Sequence, residues 1–211
     1  MSAPRFCVLV PVKPPAVAKS RLARVGDAAR RALVAAFAAD TISAALDCPE
    51  VAAVLAVTDD ALLARALADL GAHVLPDGTT DDLNASLGQA AAEATRRWAD
   101  VGVAALCADL PSLRPADLSA ALAAAARVRR AFVADAEGTG TTLVASVDPV
   151  GFTPRFGTGS RAAHLAAGLN ELVDLAVPSL RRDVDTPADL DAARDLGLGP
   201  WTTLATARHR L

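Results

Sequence analysis

At 211 residues the chain suits one α/β domain and can bury roughly 70% of its unfolded surface, so it needs no covalent staple. A net charge of −3 without a long basic run argues against nucleic acid, because a phosphate-backbone footprint needs clustered Lys and Arg. Cys7, Cys48 and Cys107 are scattered without metal-ligand spacing, no secretory leader opens the chain, and no apolar run approaches the ~20 residues of a membrane span; together these point to reduced thiols, a cytoplasmic setting and no membrane partner.

Phe6 to Val12 is a continuous apolar run of strand type, and a first strand of this kind is usually central in an α/β sheet. It runs into Lys13-Pro14-Pro15-Ala16-Val17-Ala18-Lys19-Ser20-Arg21. The prolines stiffen this loop, and Lys13, Lys19 and Arg21 form a positive patch suited to a polyphosphate or, more plainly, a solvated loop. An amphipathic helix follows from Ala28 to Leu46, with Leu33, Phe37, Ile42 and Leu46 inward, then a strand from Val51 to Val57. Asp59 and Asp60 read as caps for a helix from Ala61 to Leu70, ahead of a short strand, Ala72 to Leu75. A polar loop, Pro76 to Asp82, enters a helix from about Asn84 to Trp98. Asn84 reads either as its N-cap or as an amide able to read a base edge, having both a donor and an acceptor.

Gly102 to Cys107 predicts a strand buried on both faces. Asp109 then falls at the carboxyl end of that strand, where open α/β sheets bind ligands, although an aspartate there also serves as a turn-former or cap. Pro115 suits the first turn of the next helix, which runs to about Arg127. Strands are expected at Ala131 to Ala134 and Thr142 to Val147, with Asp135 to Thr142 between them as a Gly/Thr turn that forms an anion nest. A second Gly/Ser/Thr loop, Gly151 to Ser160, leads into a helix from Arg161 to Leu169, an arrangement suited to anions. His164, one turn past Ser160, either reaches a ligand or faces solvent. A further strand is expected at Leu172 to Val177.

Asp183-Val184-Asp185, if extended, points both carboxylates to one face and with Asp109 offers the several oxygens a hard divalent cation needs; Thr186-Pro187 starts a helix to about Leu196. The tail from Gly199 is basic, carries Trp201, and either docks on the core or makes a subunit contact, with a homodimer open. The alternation predicts an α/β, Rossmann-like fold: a mostly parallel central sheet with helices on both faces and a small antiparallel β extension, in one domain over 1–211.

Taken together, Val-Pro-Val-Lys with a downstream Lys-Ser-Arg-Leu, Asp-Leu-Asn, Ala-Asp-Leu-Pro, Gly-Thr-Gly-Thr-Thr-Leu, Phe-Gly-x-Gly-Ser with a histidine four residues on, and Asp-Val-Asp-Thr-Pro-Ala-Asp-Leu resemble the guanylyltransferases of deazaflavin coenzyme F-420 biosynthesis. These belong to the wider molybdenum-cofactor-guanylyltransferase-like nucleotidyltransferases, and the resemblance spans Phe6 to Leu196. It implies a nucleotide-diphospho-sugar transferase-like fold and transfer of GMP from GTP to a small phosphorylated three-carbon acid with loss of pyrophosphate. The acid is phosphoenolpyruvate, 2-phospho-L-lactate or 3-phosphoglycerate, and the actinobacterial look of the composition favours the first.

The resemblance further implies Mg²⁺ on Asp109, Asp183 and Asp185, with Asp109, Asp185, Lys13 and Lys19 as the catalytic set. It implies the acid on Thr141, Thr142, Gly157 and Ser160, the triphosphate on Lys13, Lys19 and Arg21, and the guanine side on Asn84. Val-Pro-Val-Lys-Pro-Pro stands where the molybdopterin-type members carry a Gly-Gly loop, which argues against a molybdopterin substrate. Asp-x-Asp on such a sheet also occurs in sugar-nucleotide glycosyltransferases, and a non-catalytic GTP-binding regulator on the same fold is the third reading.

Overall fold

The computed structural model describes residues 5–13, 26–78 and 82–209. Strand β1 (Phe6–Pro11) is apolar throughout because both its faces are covered. Phe6, Val8 and Val10 enter one core cluster, and Cys7 and Leu9 enter the other. Strands β2 (Val51–Val57) and β4 (Gly102–Leu106) pair with β1 on either side, both parallel, and β3 (His73–Leu75) extends β2 in parallel. Gly102 opens β4 because a side chain there would lie 2.7 Å from the Phe6 ring and 2.9 Å from the Ser146 carbonyl.

Strands β5 (Arg130–Ala134) and β6 (Thr141–Ser146) form a hairpin, so β6 runs antiparallel to β5 and, through its other edge, to β4. A two-residue strand, β7 (Asn170–Glu171), ends the sheet parallel to β5. The order is β3-β2-β1-β4-β6-β5-β7, so the antiparallel part lies within the sheet. The strand expected at Leu172 to Val177 is absent. The ladder stops at the Leu172 amide, and the Arg181 guanidinium takes the Ala134 and Leu172 carbonyls that a longer strand would use (3.0 and 2.8 Å).

Helices α1 (Asp27–Leu46), α2 (Ala61–Asp69) and α4 (Pro115–Val128) cover one face, and α3 (Leu83–Arg97) covers the other. Asp60 caps α2 by accepting the Leu62 and Leu63 amides, both at 3.0 Å, while Asp59 accepts the Asp77 amide. Asp82, not Asn84, caps α3: its carboxylate takes the Asn84 and Ala85 amides at 2.9 and 3.1 Å.

After the hairpin come α5 (Ser160–Ala166), α6 (Pro178–Arg181), α7 (Pro187–Leu196) and α8 (Pro200–His209). A capping box between Thr186 and Asp189 starts α7. The tail docks on the core: the buried Asp40 carboxylate of α1 accepts the Trp201 and Thr202 amides at 3.0 and 2.8 Å, capping α8 from another helix. Burial raises the Asp40 carboxyl above its ordinary value, against the pull of those hydrogen bonds. Among the described residues no helix is long and apolar enough to cross a membrane.

Candidate active site

From β1 the chain winds outward through β2 and β3, then returns to place β4 on the other side of β1. The crevice at the carboxyl ends of β1 and β4 is therefore the switch point of the sheet, where ligands bind in open α/β folds. A cavity of about 320 Å³ opens there, a size suited to a small-molecule ligand. Pro11, Val12 and Lys13 line it from the end of β1; Cys107, Ala108 and Asp109 from the end of β4; Val34 and Phe37 from α1; and Leu83 and Asp185 complete it.

Asp109 and Asp185, 76 positions apart in sequence, thus face one space. The Val184 amide donates to the Asp109 carbonyl at 3.0 Å, tying the two segments together directly. Val184 itself is fully buried against Leu33, Phe37 and Leu190. On the other side Thr41 of α1, also buried, donates its hydroxyl to the Ala108 carbonyl (3.3 Å) and accepts the Leu110 amide (3.1 Å). The backbone on both flanks of Asp109 is therefore held by one side chain.

The expected three-carboxylate set is not gathered. Among the described residues no group of three His, Cys, Asp or Glu side chains is placed to hold a metal ion, and Asp183 is not part of the cavity wall. Residues 182–186 join α6 to α7 without forming a strand. Two carboxylates with an open cavity still match the donor chemistry of Mg²⁺, which usually takes one or two carboxylates plus substrate phosphates.

Lys13 is exposed at the cavity mouth, while Lys19 and Arg21 lie outside the described residues. Cys107 falls just after β4, half-buried on the cavity wall, where a wholly buried strand position was expected.

The glycine-rich segments differ from expectation. The turn after β5 is an anion nest that the chain fills itself: Asp135 accepts the Thr139 and Gly140 amides at 2.9 and 2.7 Å. At the second loop, Gly157 and Gly159 take positive φ (131° and 70°), and the Ser160 and Arg161 amides donate to the Gly157 and Thr139 carbonyls. Those two amides are thus already engaged within the chain. Thr142 is fully buried, its hydroxyl has no hydrogen-bond partner among the described residues, and its carbonyl accepts the Cys107 amide at 2.9 Å.

Asn84 pairs its amide with the Phe156 backbone in both directions, donating to the carbonyl at 3.0 Å and accepting the N–H at 2.8 Å. His164 does not face solvent. It is fully buried, and burial pulls its pKa down to about 4. Its Nε2 accepts the Arg155 amide at 2.9 Å, so Nδ1 carries the proton and donates to the Thr141 hydroxyl at 3.0 Å. The contacts of Thr41, Asn84 and His164 span 9 to 72 positions, and no local sequence signal marks them.

A family described as "Guanylyl transferase CofC like" matches residues 6–193. A protein of Thermomonospora curvata named phosphoenolpyruvate guanylyltransferase is 53% identical over 203 residues, covering 96% of this chain and 89% of its own. A protein of the same name from Streptomyces scabiei is 50% identical over 209 residues, covering 97% of each. Among solved structures, a nucleotidyl transferase from Methanothermobacter thermautotroptrophicus superposes with a TM-score of 0.59 at 18% identity, covering 90% of this chain and 96% of that one. A 4-diphosphocytidyl-2C-methyl-D-erythritol synthase superposes with a TM-score of 0.62 at 10% identity over 92% and 99%. At those identities the structures speak for the fold, which is that of nucleotide-diphospho-sugar transferases, while the sequence matches cover nearly the whole chain; the protein belongs to the CofC-like guanylyl transferase family.

Proposed function

We propose that the protein transfers GMP from GTP to phosphoenolpyruvate, forming enolpyruvoyl-2-diphospho-5'-guanosine and pyrophosphate, as a single domain in the cytosol. The names of its relatives support this reading. The observation that carries it is the shared cavity at the switch point, with Asp109 and Asp185 on its wall and their segments joined through the Val184 amide.

In this reaction an oxygen of the acid's phosphate forms a bond to the α-phosphorus of GTP, and the bond from that phosphorus to the bridging oxygen of pyrophosphate breaks. The attacking oxygen is already anionic, so no general base is needed. The obstacle is charge: two unit charges 4 Å apart repel by about 4 kcal/mol at an effective dielectric near 20. Asp109 and Asp185 are the residues that would hold Mg²⁺, with Asp183 beside them in the same segment. Bound there, the ion would supply charge neutralisation for the phosphates.

Lys13, at the end of β1, faces the triphosphate and the departing pyrophosphate, with Lys19 and Arg21 assigned to the same task. Thr141, Thr142, Gly157 and Ser160 receive the acid, and the orphaned Thr142 hydroxyl supplies a donor for it. Asn84, expected on the guanine side, is already engaged with Phe156. Catalysis is then positioning together with charge neutralisation.

Pyrophosphate release from GTP with Mg²⁺ and each acid in turn tests the proposal. Phosphoenolpyruvate is expected to give the highest kcat/KM, ahead of 2-phospho-L-lactate and 3-phosphoglycerate. Release of a nucleoside diphosphate in place of pyrophosphate overturns it in favour of glycosyl transfer. GTP binding with no turnover on any acid leaves a regulator.

A further inference from the structure

We infer that Asn84 and His164 are positioning residues which together hold the 152–160 loop in the pose that grips the acid substrate; this rests on the acid-binding reading above. Residues 152–159 form neither helix nor strand, so their backbone groups have no ladder of their own. The structure satisfies the Arg155 amide and both groups of the Phe156 peptide from two other elements. Asn84, from the first turn of α3, meets the Phe156 peptide at two points, N–H to Oδ1 at 2.8 Å and Nδ2 to carbonyl at 3.0 Å. A two-point contact fixes orientation as well as distance. His164, from α5, takes the neighbouring Arg155 amide on Nε2 at 2.9 Å.

The imidazole is wedged between two rings, with centroids 5.4 Å from Phe132 and 5.6 Å from Phe156. Its Nδ1 proton goes to Thr141, so the Thr141 oxygen accepts there and its own hydrogen is left to donate elsewhere. One line of hydrogen bonds therefore runs from α3 through Phe156, Arg155 and His164 to the start of β6. It ends beside Thr142, whose buried hydroxyl has no partner among the described residues. Gly157 follows Phe156 directly and Ser160 comes three residues later, so their positions inherit the pose. Burial keeps the imidazole neutral, which preserves its acceptor nitrogen for Arg155.

This assignment differs from a base-reading Asn84. Swinging the amide onto guanine would strip the Phe156 N–H and carbonyl of their partners, so the same side chain does not serve both. Acids that differ by a double bond or a hydroxyl are separated by small displacements of a rigid loop, and a clamp at this point governs that selection.

N84D tests the inference, because it keeps size and the acceptor for the Phe156 amide but sets an oxygen against the Phe156 carbonyl. KM for phosphoenolpyruvate is expected to rise about tenfold, while KM for GTP and the preference for GTP over ITP stay within about twofold. H164F is expected to raise the same KM and spare the same preference. A raised KM for GTP with lost GTP/ITP discrimination and an unchanged KM for the acid overturns the inference and puts Asn84 on the base. Should N84D fail to fold, hydrogen exchange of the wild-type protein decides. Protected Arg155 and Phe156 amides support the clamp, and exchange as fast as in an open loop refutes it. Absence of pyrophosphate release by the wild type with any acid would sink the proposed reaction, not the clamp, which the exchange measurement reads without substrate.

Discussion

The carboxylate edge and the glycine-rich loop are held in place by different means. Asp109 sits where a buried strand ends, and its backbone is pinned by Val184 on one side and Thr41 on the other. The 152–160 loop has no strand behind it and depends on side chains reaching in from α3 and α5. A strand end, one main-chain bond and one hydroxyl set the first region, and side chains from two helices set the second.

The largest expected effect comes from the carboxylates. D109N and D185N each remove a charge from the cavity while leaving shape intact, so kcat should fall roughly 100- to 1,000-fold with little change in thermal stability. D183N, outside the cavity wall, should lose less than about tenfold. Steady-state kinetics on the three variants checks this, and equal losses at Asp183 and Asp185 would show that both carboxylates serve the reaction.

Most of this edge was legible in the sequence. β1, β2 and β4 announce themselves as apolar runs bounded by polar residues, and Asp109 stands just beyond the last of them, whereas Asp185 lies in the connection between α6 and α7. The second region was legible only as glycine-rich. Asn84 sits at a helix start, so local rules read it as a cap, yet Asp82 two positions earlier takes that role and frees the amide for Phe156. Asp135 filled the nest that the turn composition promised to a ligand. The strand expected at Leu172 to Val177 failed because Arg181, four residues beyond it, took the Leu172 carbonyl and that of Ala134 in β5. Docking of α8 depends on Asp40, 161 positions upstream, and no window of local sequence contains both. Apolar periodicity is a local signal; which polar side chain satisfies which backbone group is not.

The pH dependence of stability probes the loop region. His164 has its pKa pulled from 6.5 to about 4 by burial, so between those values the unfolded chain binds a proton that the folded chain refuses. Its contribution is therefore complete above pH 6.5 and is lost as pH falls toward 4, at up to about 1.4 kcal/mol per pH unit. Urea unfolding at pH 7 and pH 5 should show about 2 kcal/mol of loss that H164F does not show. Parallel pH slopes for the two proteins would mean that the imidazole is not held neutral, and the Arg155 contact would go with it.

The smallest effect returns to the carboxylate edge and asks whether one hydroxyl matters there. Valine has the shape of threonine, so T41V leaves packing intact but strips partners from the Ala108 carbonyl and the buried Leu110 amide. The stability cost should be about 1–3 kcal/mol, visible as a Tm several degrees lower. If those two bonds also aim Asp109, kcat should fall about tenfold with KM for GTP little changed, and T41S, which restores the hydroxyl, should recover most of both. A T41V protein that is less stable but turns over at the wild-type rate would show that the Val184 amide alone suffices to place Asp109, and that Thr41 braces the fold without aiming the carboxylate.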